Sequence, residues 1–376
     1  MLANILRFKI VIGLTVLLLV LIMISPFKAS LQNGIALEAN AHLNELMASP
    51  NSFLLSSPAP ISGGAKVEPE LLKTPIVTNN ELNAWFDRSQ TQALIVQKKG
   101  RIIYERYSAD ADDGRNINAM SMTKTIVAIL IGIAVDEGLI NSEKDSISLY
   151  LPEIKQHPTH AITLRDLLRH TSGIQSTSQD LRATLGGNPL ITPLSAISFK
   201  GDRSFRYDNI NYHLLSLALT RVYKKPLNRL IEDKLWHPLN LEKAAIINTT
   251  GYCCVFATAR SWLEIGNLFL NPKIQIVSAS WLKKMVEDSV IPEWFFVQAT
   301  GKSVSNSYGY HIYGRLPNSP EVFWVEGIGL QLVMINPQTR SVIVRLGGIP
   351  SVLNVFSNRH DNSIIEPLLN ILMTDL

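Results

Sequence analysis

From Ser121 to Gly138 the chain is apolar on nearly every side of a helical wheel, with Ile126, Val127, Ile129, Leu130, Ile131, Ile133 and Val135 spread over all faces. A helix of this kind has to be surrounded by other elements, so the rest of the chain must wrap it. Gly138 is a natural C-terminal stop. The run opens with Ala119-Met120-Ser121-Met122-Thr123-Lys124. A serine and a lysine three residues apart sit on one helix face, one turn apart. At a helix N-terminus the serine brings its own unpaired N–H, and the dipole favours a nearby anion. Acyl transfer needs both, because an attacking oxygen and then an oxyanion must be stabilised. A neutral lysine can take the serine proton. The spacing is not specific by itself: Ser280-Trp281-Leu282-Lys283 repeats it in another helical stretch.

The 376 residues allow one large domain or two intergrown ones with an ample core. The net charge of +4 is spread along the chain, with no basic stripe among aromatics, which excludes a nucleic-acid partner. Residues 1–27 read as a membrane anchor or signal sequence. Arg7 and Lys9 precede an uncharged run from Ile10 to Phe27, and the first acidic residue is Glu38. No small-x-small pair follows the run closely, so an uncleaved inner-membrane anchor is preferred to a cleaved signal. Either places the catalytic part in a periplasm-like space. The two cysteines there, Cys253 and Cys254, are adjacent and read as two buried thiols, with a redox switch as the alternative. His157 and His160 lack a third ligand at a recognisable spacing, so no metal and no cofactor is expected. The sequence gives no oligomeric state.

Residues 28–80 read as a tether, with a turn-rich linker from Ser56 to Gly64 and some helix at 36–48. The folded domain spans 81–376. Ala93–Val96 and Ile102–Tyr104 flank Lys98-Lys99-Gly100 as a β-hairpin. Residues 108–118 are loop. After the Ser121 helix, Ile147–Pro152 is a short turn-bounded piece. Thr163-Leu164-Arg165-Asp166 starts a capped helix that ends at His170-Thr171-Ser172-Gly173, where His170 is expected to organise a loop. Tyr207-Asp208-Asn209 leads into a helix over 214–222, with further helices at 227–236, 257–270 and 280–288. Strands follow at 307–313, 322–325, 330–336 and 341–346, with Pro337–Arg340 as a hairpin turn and a closing helix at 364–373. The fold class is α+β: an antiparallel sheet of about five strands, drawn from both ends of the domain and flanked by helices. An inserted, mostly helical region carries part of the site.

The order Ser121-x-x-Lys124, Tyr207-x-Asn209 and Gly327-Ile328-Gly329 resembles the serine β-lactamase-related hydrolases of the penicillin-recognising fold. The resemblance extends over about residues 90–350, including the phrases Leu149–Pro152, Thr163–Gly173, Leu235–Leu239 and Ala257–Arg260. It lies closest to class C β-lactamase-like esterases and to amide hydrolases of the 6-aminohexanoate-dimer hydrolase kind. The departure is in the third motif. β-Lactamases of this fold carry Lys-Thr-Gly, whereas this chain has Val325-Glu326-Gly327. Loss of the cation argues against a penicillin-like anion as substrate.

The resemblance implies roles. Ser121 is the nucleophile, and Lys124 with Tyr207 moves its proton, although reference values near 10 suit neither group as a base at neutral pH. Burial and neighbouring charge must therefore shift them. Asn209 hydrogen-bonds Lys124 or the substrate amide. The Ser121 and Ile328 N–H groups form the oxyanion hole beside Gly327, and Glu326 is an edge charge or selects an amine-bearing substrate. The reading is a serine hydrolase that cleaves a small-molecule or peptide-like ester or amide. The alternatives are a slow, penicillin-binding-like module that holds cell-envelope peptides and, less favoured, a genuine β-lactamase.

Overall fold

The computed structural model describes residues 59–64, 80–109, 114–154, 161–176, 194, 197, 199, 202–246, 251–271, 275–290, 307–316, 319–348 and 362–373. The strands among them are β1 (Ala59–Ile61), β2 (Thr91–Lys98), β3 (Arg101–Tyr107), β4 (Ile117–Asn118), β5 (Ala244–Ile246), β6 (Val255–Ala257), β7 (Ser307–Gly309), β8 (Ile312–Leu316), β9 (Ser319–Gly327), β10 (Gln331–Asn336) and β11 (Ser341–Gly347). The α-helices are α1 (Asn80–Arg88), α2 (Thr123–Asp136), α3 (Leu164–Leu168), α4 (Asn209–Tyr223), α5 (Leu227–Ile231), α6 (Ala259–Asn267), α7 (Ala279–Glu287) and α8 (Asn362–Met373). The α+β class holds, and the main sheet is antiparallel with seven strands in the order β3-β2-β11-β10-β9-β8-β7. β2 pairs directly with β11, so the two ends of the domain share one sheet as expected.

The β2–β3 hairpin turns on Lys99 and Gly100, both left-handed at φ +50° and +81°. That is the backbone a two-residue hairpin turn of right-twisted strands requires. The extra strand at the far edge comes from residues 307–313, read from sequence as one strand. Tyr310 and His311 both take positive φ, at +53° and +61°, and fold the segment into the β7–β8 hairpin.

Residues 59–61 lie inside the stretch read as a tether, yet they pair antiparallel with 244–246 in a second sheet of order β1-β5-β6-β4. Pro60 is tolerated because β1 is an edge strand, where a missing N–H costs no ladder bond. The anchor expected at 1–27, the rest of the tether, and His157 and His160 lie outside the described residues. Among the described residues no helix is long and apolar enough to cross a membrane.

Two cores flank the main sheet. One face carries Ala93, Ile95, Val325, Val333, Val342 and Val344 against α2, α4 and α6; the other carries Leu94, Val96, Trp324, Leu332, Met334 and Ile343 against α1 and α8. As its composition demands, α2 runs through the interior, with every residue from Thr123 to Ala134 buried.

The inserted helices are tied to the sheet edge by Asp288. Its carboxylate accepts from Arg165 Nε and Nη2 at 2.6 and 2.5 Å and from the Tyr310 hydroxyl at 2.9 Å, with Arg169 Nη1 at 3.6 Å. Burial works to raise the Asp288 carboxyl, but the bonds from Arg165 and Tyr310 and the Arg169 charge outweigh it and hold it below the usual range. The stability it contributes is thus full above the unfolded value of about 4 and is withdrawn as pH falls through the lowered native value. Asp288→Ala should cost about 2 kcal/mol in denaturant unfolding at pH 7, less than a fully buried pair because Arg165 remains partly exposed. At pH 2.5 the loss should shrink.

Candidate active site

Ser121 sits at the centre of a short 3₁₀ turn, Met120–Met122, that leads into α2. The first internal bond of this turn runs from Met122 N–H to the Ala119 carbonyl at 3.1 Å, leaving Ser121 N–H among the end donors. Met120, directly before it, is left-handed at φ +51°, a conformation that persists only when its surroundings impose it. Here they do. Met120 N–H donates to Asn118 Oδ1 at 2.8 Å, and the Thr123 hydroxyl donates to the Met120 carbonyl at 2.8 Å. The same hydroxyl accepts from Cys254 and Val255 N–H at 2.9 and 3.0 Å, using its full bonding capacity. The turn that presents Ser121 is thereby stitched to β6.

Lys124 is fully buried, its Nζ 3.0 Å from Ser121 Oγ and 2.8 Å from the Tyr252 carbonyl. The rings of Tyr207, Tyr212 and Tyr252 surround it, with Nζ 4.9 Å from the Tyr207 centroid. Burial drives this amine well below the ordinary lysine range, and the Asp208 carboxylate only partly opposes that shift. That shift favours the neutral form of the amine beside the serine. Tyr207 moves the other way: burial raises its phenol, a hydrogen bond to Ser121 partly opposes that, and the charge of Glu326 adds to it. It therefore holds its proton more tightly than a free phenol.

The loop carrying Tyr207 is held by His170. The imidazole stacks on the Tyr207 ring at 4.5 Å, and Nδ1 accepts from Asp208 N–H at 3.2 Å and Asn211 Nδ2 at 3.1 Å. Burial holds this ring well below the usual histidine range. His170 is thus the loop organiser expected from sequence. Asp208 caps α4 by accepting from Ile210 N–H at 3.1 Å, which makes Asn209 the first residue of that helix. Among the described residues no bond joins Asn209 to Lys124; the Tyr252 carbonyl takes the place expected for it.

On the sheet side, a Cβ at Gly327 would fall on the Ala119 carbonyl oxygen, 3.0 Å from Met120 Cβ and 3.2 Å from Ser121 N. Only glycine lets β9 approach the serine turn this closely. Ile328 follows it, half exposed, in the three-residue loop to β10. Glu326 has its carbonyl bonded to His311 Nε2 at 2.8 Å and its carboxylate to Trp324 Nε1 at 3.2 Å. Val325 is buried in the core. The structure thus brings Ser121, Lys124, Tyr207 and Gly327 together. Ser280 and Lys283 lie on the exposed face of α7, where Lys283 pairs with Glu287.

Three findings depart from the sequence reading. Cys253 and Cys254 are a vicinal disulfide rather than two thiols, with Cys254 at φ +93° between the residue that holds Lys124 and the strand stitched to Thr123. His311, buried and joined to Tyr308 as well as to Glu326, was not singled out, because it lies in an apparent strand. Thr123 could have been noticed as a polar residue in an otherwise apolar helix. Among the described residues, Glu232, Asp233 and His237 also bring potential ligand atoms within 4.8 Å of one another. Glu232 is already engaged by Ser62 N–H and Arg229, and Asp233 by Lys225.

Residues 83–251 match the Beta-lactamase family model. The chain is 25% identical to the 6-aminohexanoate-dimer hydrolase of Paenarthrobacter ureafaciens over 303 residues, which is 72% of this chain and 76% of that protein. It is 28% identical to Protein flp of Staphylococcus aureus (strain MW2) over 175 residues, 42% of this chain but only 35% of that longer protein. A Bacillus anthracis structure assigned as a 6-aminohexanoate-dimer hydrolase shares the fold with TM-score 0.68 at 18% identity, covering 88% of this chain and 95% of its own. With its seven-stranded sheet and the buried Ser121–Lys124 helix, the chain thus shares the fold of these proteins and resembles the Beta-lactamase family over residues 83–251.

Proposed function

We propose that the protein hydrolyses an ester or amide through an acyl-enzyme on Ser121. The observation that carries this reading is the fully buried Lys124 Nζ 3.0 Å from Ser121 Oγ. The lysine takes the hydroxyl proton as Oγ attacks the substrate carbonyl carbon. The oxyanion lies between the N–H groups of Ser121 and Ile328, where each donor contributes about 3–4 kcal/mol to the transition state. The proton passes to the leaving oxygen or nitrogen by way of the Tyr207 phenol. Water then attacks the acyl-enzyme and the same groups run in reverse.

The half-exposed Ile328 supports an apolar acyl group, and the Glu326 carboxylate at this edge supports an amine-bearing substrate over a carboxylate-bearing one. The apolar run from Ile10 to Phe27 supports activity at the outer face of the inner membrane, which fractionation of the full chain tests. The central test compares p-nitrophenyl butyrate hydrolysis by the wild type and Ser121→Ala. The expected result is a loss of at least about 10³-fold together with a mass adduct on Ser121. Equal rates would remove the enzymatic reading and leave a binding module. Rapid nitrocefin turnover would point instead to a true β-lactamase.

A further inference from the structure

Arg345 on β11 is fully exposed to none of the solvent and is among the largest wholly buried side chains. It lies on the sheet surface covered by α1 and α8, in register with Leu332 and, one strand on, Glu326. Its Nη1 donates to the carbonyls of Gly329 and Leu330, each at 2.7 Å. Nη2 reaches the carbonyls of Ser89 and Gly348 at 2.8 and 3.1 Å, and Nε the Thr91 hydroxyl at 3.0 Å. Burying a guanidinium is expensive, and here it is spent on tying one loop to the sheet and to the end of α1. That loop is 328–330, the connection that begins with the proposed oxyanion donor.

The loop has left-handed residues at Gly329 and Leu330, φ +83° and +56°. Peptide planes in such a turn can flip, and a flip of the plane between Gly327 and Ile328 would aim the N–H away from the substrate. The planes ahead of it and beyond it are tied by side chains. Ahead of it, the Glu326 carbonyl accepts from His311 Nε2 at 2.8 Å; because that bond needs a proton on Nε2 and burial keeps the ring neutral, Nδ1 accepts from the Tyr308 hydroxyl at 3.0 Å. Behind it, Gln331 Nε2 donates to the Ile328 carbonyl at 3.4 Å, and the two Arg345 bonds hold the next planes, those of the Gly329 and Leu330 carbonyls. Gln331 completes the loop's attachment, with its amide paired to Gly347 N and O at 3.0 and 2.6 Å.

We infer that Arg345 and His311 are positioning residues for the oxyanion hole, locking the peptide planes around Ile328 so that its N–H stays aimed at the reacting carbonyl. Neither touches substrate. The inference rests on the function proposed above and adds to it where the hole's rigidity resides. Arginine is required at 345 because one planar fork has to serve several fixed oxygens at once, which a single ammonium does not match.

The experiment uses paired oxo and thiono esters of the same acid and alcohol. Sulfur accepts hydrogen bonds poorly, so the thiono ester draws little on the hole. For Arg345→Met and Arg345→Lys, kcat on the oxo ester should fall about 30- to 100-fold with KM nearly unchanged, while thiono turnover moves by no more than about 3-fold. The oxo-to-thiono ratio then collapses. His311→Gln should shift the ratio in the same direction. Stoichiometric labelling of Ser121 by a fluorophosphonate counts the folded sites, so rates are per competent molecule. If Arg345→Met does not fold, Arg345→Lys carries the measurement. Oxo and thiono rates that fall together, or that both stay at wild-type levels, overturn the positioning role while Ser121-dependent turnover persists. A wild type that matches Ser121→Ala on both esters instead overturns the underlying function, and the inference falls with it.

Discussion

Lys124→Met is expected to lower kcat/KM on an activated ester by about 10³- to 10⁴-fold while leaving a folded protein. Methionine fills the same buried volume, among Tyr207, Tyr212 and Tyr252, without a polar end. It leaves the Tyr252 carbonyl without the bond from Nζ, a loss of about 1–3 kcal/mol. The proton acceptor 3.0 Å from Ser121 Oγ is gone. The pH profile gives the sharper check. Only the neutral amine accepts a proton, so wild-type kcat/KM should rise with pH through the lysine's lowered value, well under 10.5, and then level off. No falling limb from Tyr207 should appear below pH 10, because burial raises that phenol. The buried rings of His170 and His311 are held neutral and should add no limb in the neutral range. In Lys124→Met the rising limb should disappear from stopped-flow or steady-state profiles. A limb of unchanged midpoint in the variant would assign the base elsewhere.

Gly327→Ala should be nearly as damaging, by a different route. The added methyl would lie 2.4 Å from the Ala119 carbonyl oxygen, and its other neighbours are Met120 Cβ and Ser121 N. These belong to the turn that carries Ser121, so β9 and the serine must move apart. A displacement of about 1 Å between reacting groups costs about 10²-fold, and loss of one oxyanion donor costs about 10²- to 10³-fold. A fall in kcat of about 10³-fold is expected, with a stability loss of about 1–3 kcal/mol from overpacking. Gly100→Ala is the control. Its Cβ would meet nothing within 4 Å and its cost is the left-handed φ of +81°. That variant should lose about 1 kcal/mol in thermal unfolding and keep its turnover.

Legibility in the sequence followed how local the determining physics was. The α2 helix was plain because apolar residues on all faces allow no other setting, and Thr163 with Asp166 forms the capping box its spacing announced. The β2–β3 hairpin was plain because Lys99-Gly100 supplies a left-handed turn. Tyr207 was legible only through its order relative to Ser121 and the Gly327 edge; nothing local marks that phenol. The β7–β8 hairpin was missed because Tyr310 and His311 adopt positive φ without the glycine or asparagine that usually signals it. β1 was missed because its pairing depends on a free edge supplied by residues 244–246, far along the chain. Arg345 reads as one charge in an apolar strand, and its purpose exists only once residues 329 and 330 have folded back beside it.

The adjacency of β2 and β11 has a consequence for synthesis. The sheet's middle is completed by residues 341–347, so a ribosome has released most of the domain before its first hairpin gains its neighbour. Until then the nascent chain exposes strand edges and half of each hydrophobic layer, a slow, long-range assembly that invites aggregation or chaperone capture. Ser121 and Lys124 emerge early, but β9 (residues 319–327), which meets the Ser121 turn at Gly327, follows much later in the chain. Catalysis should therefore switch on in one late step rather than grow with chain length.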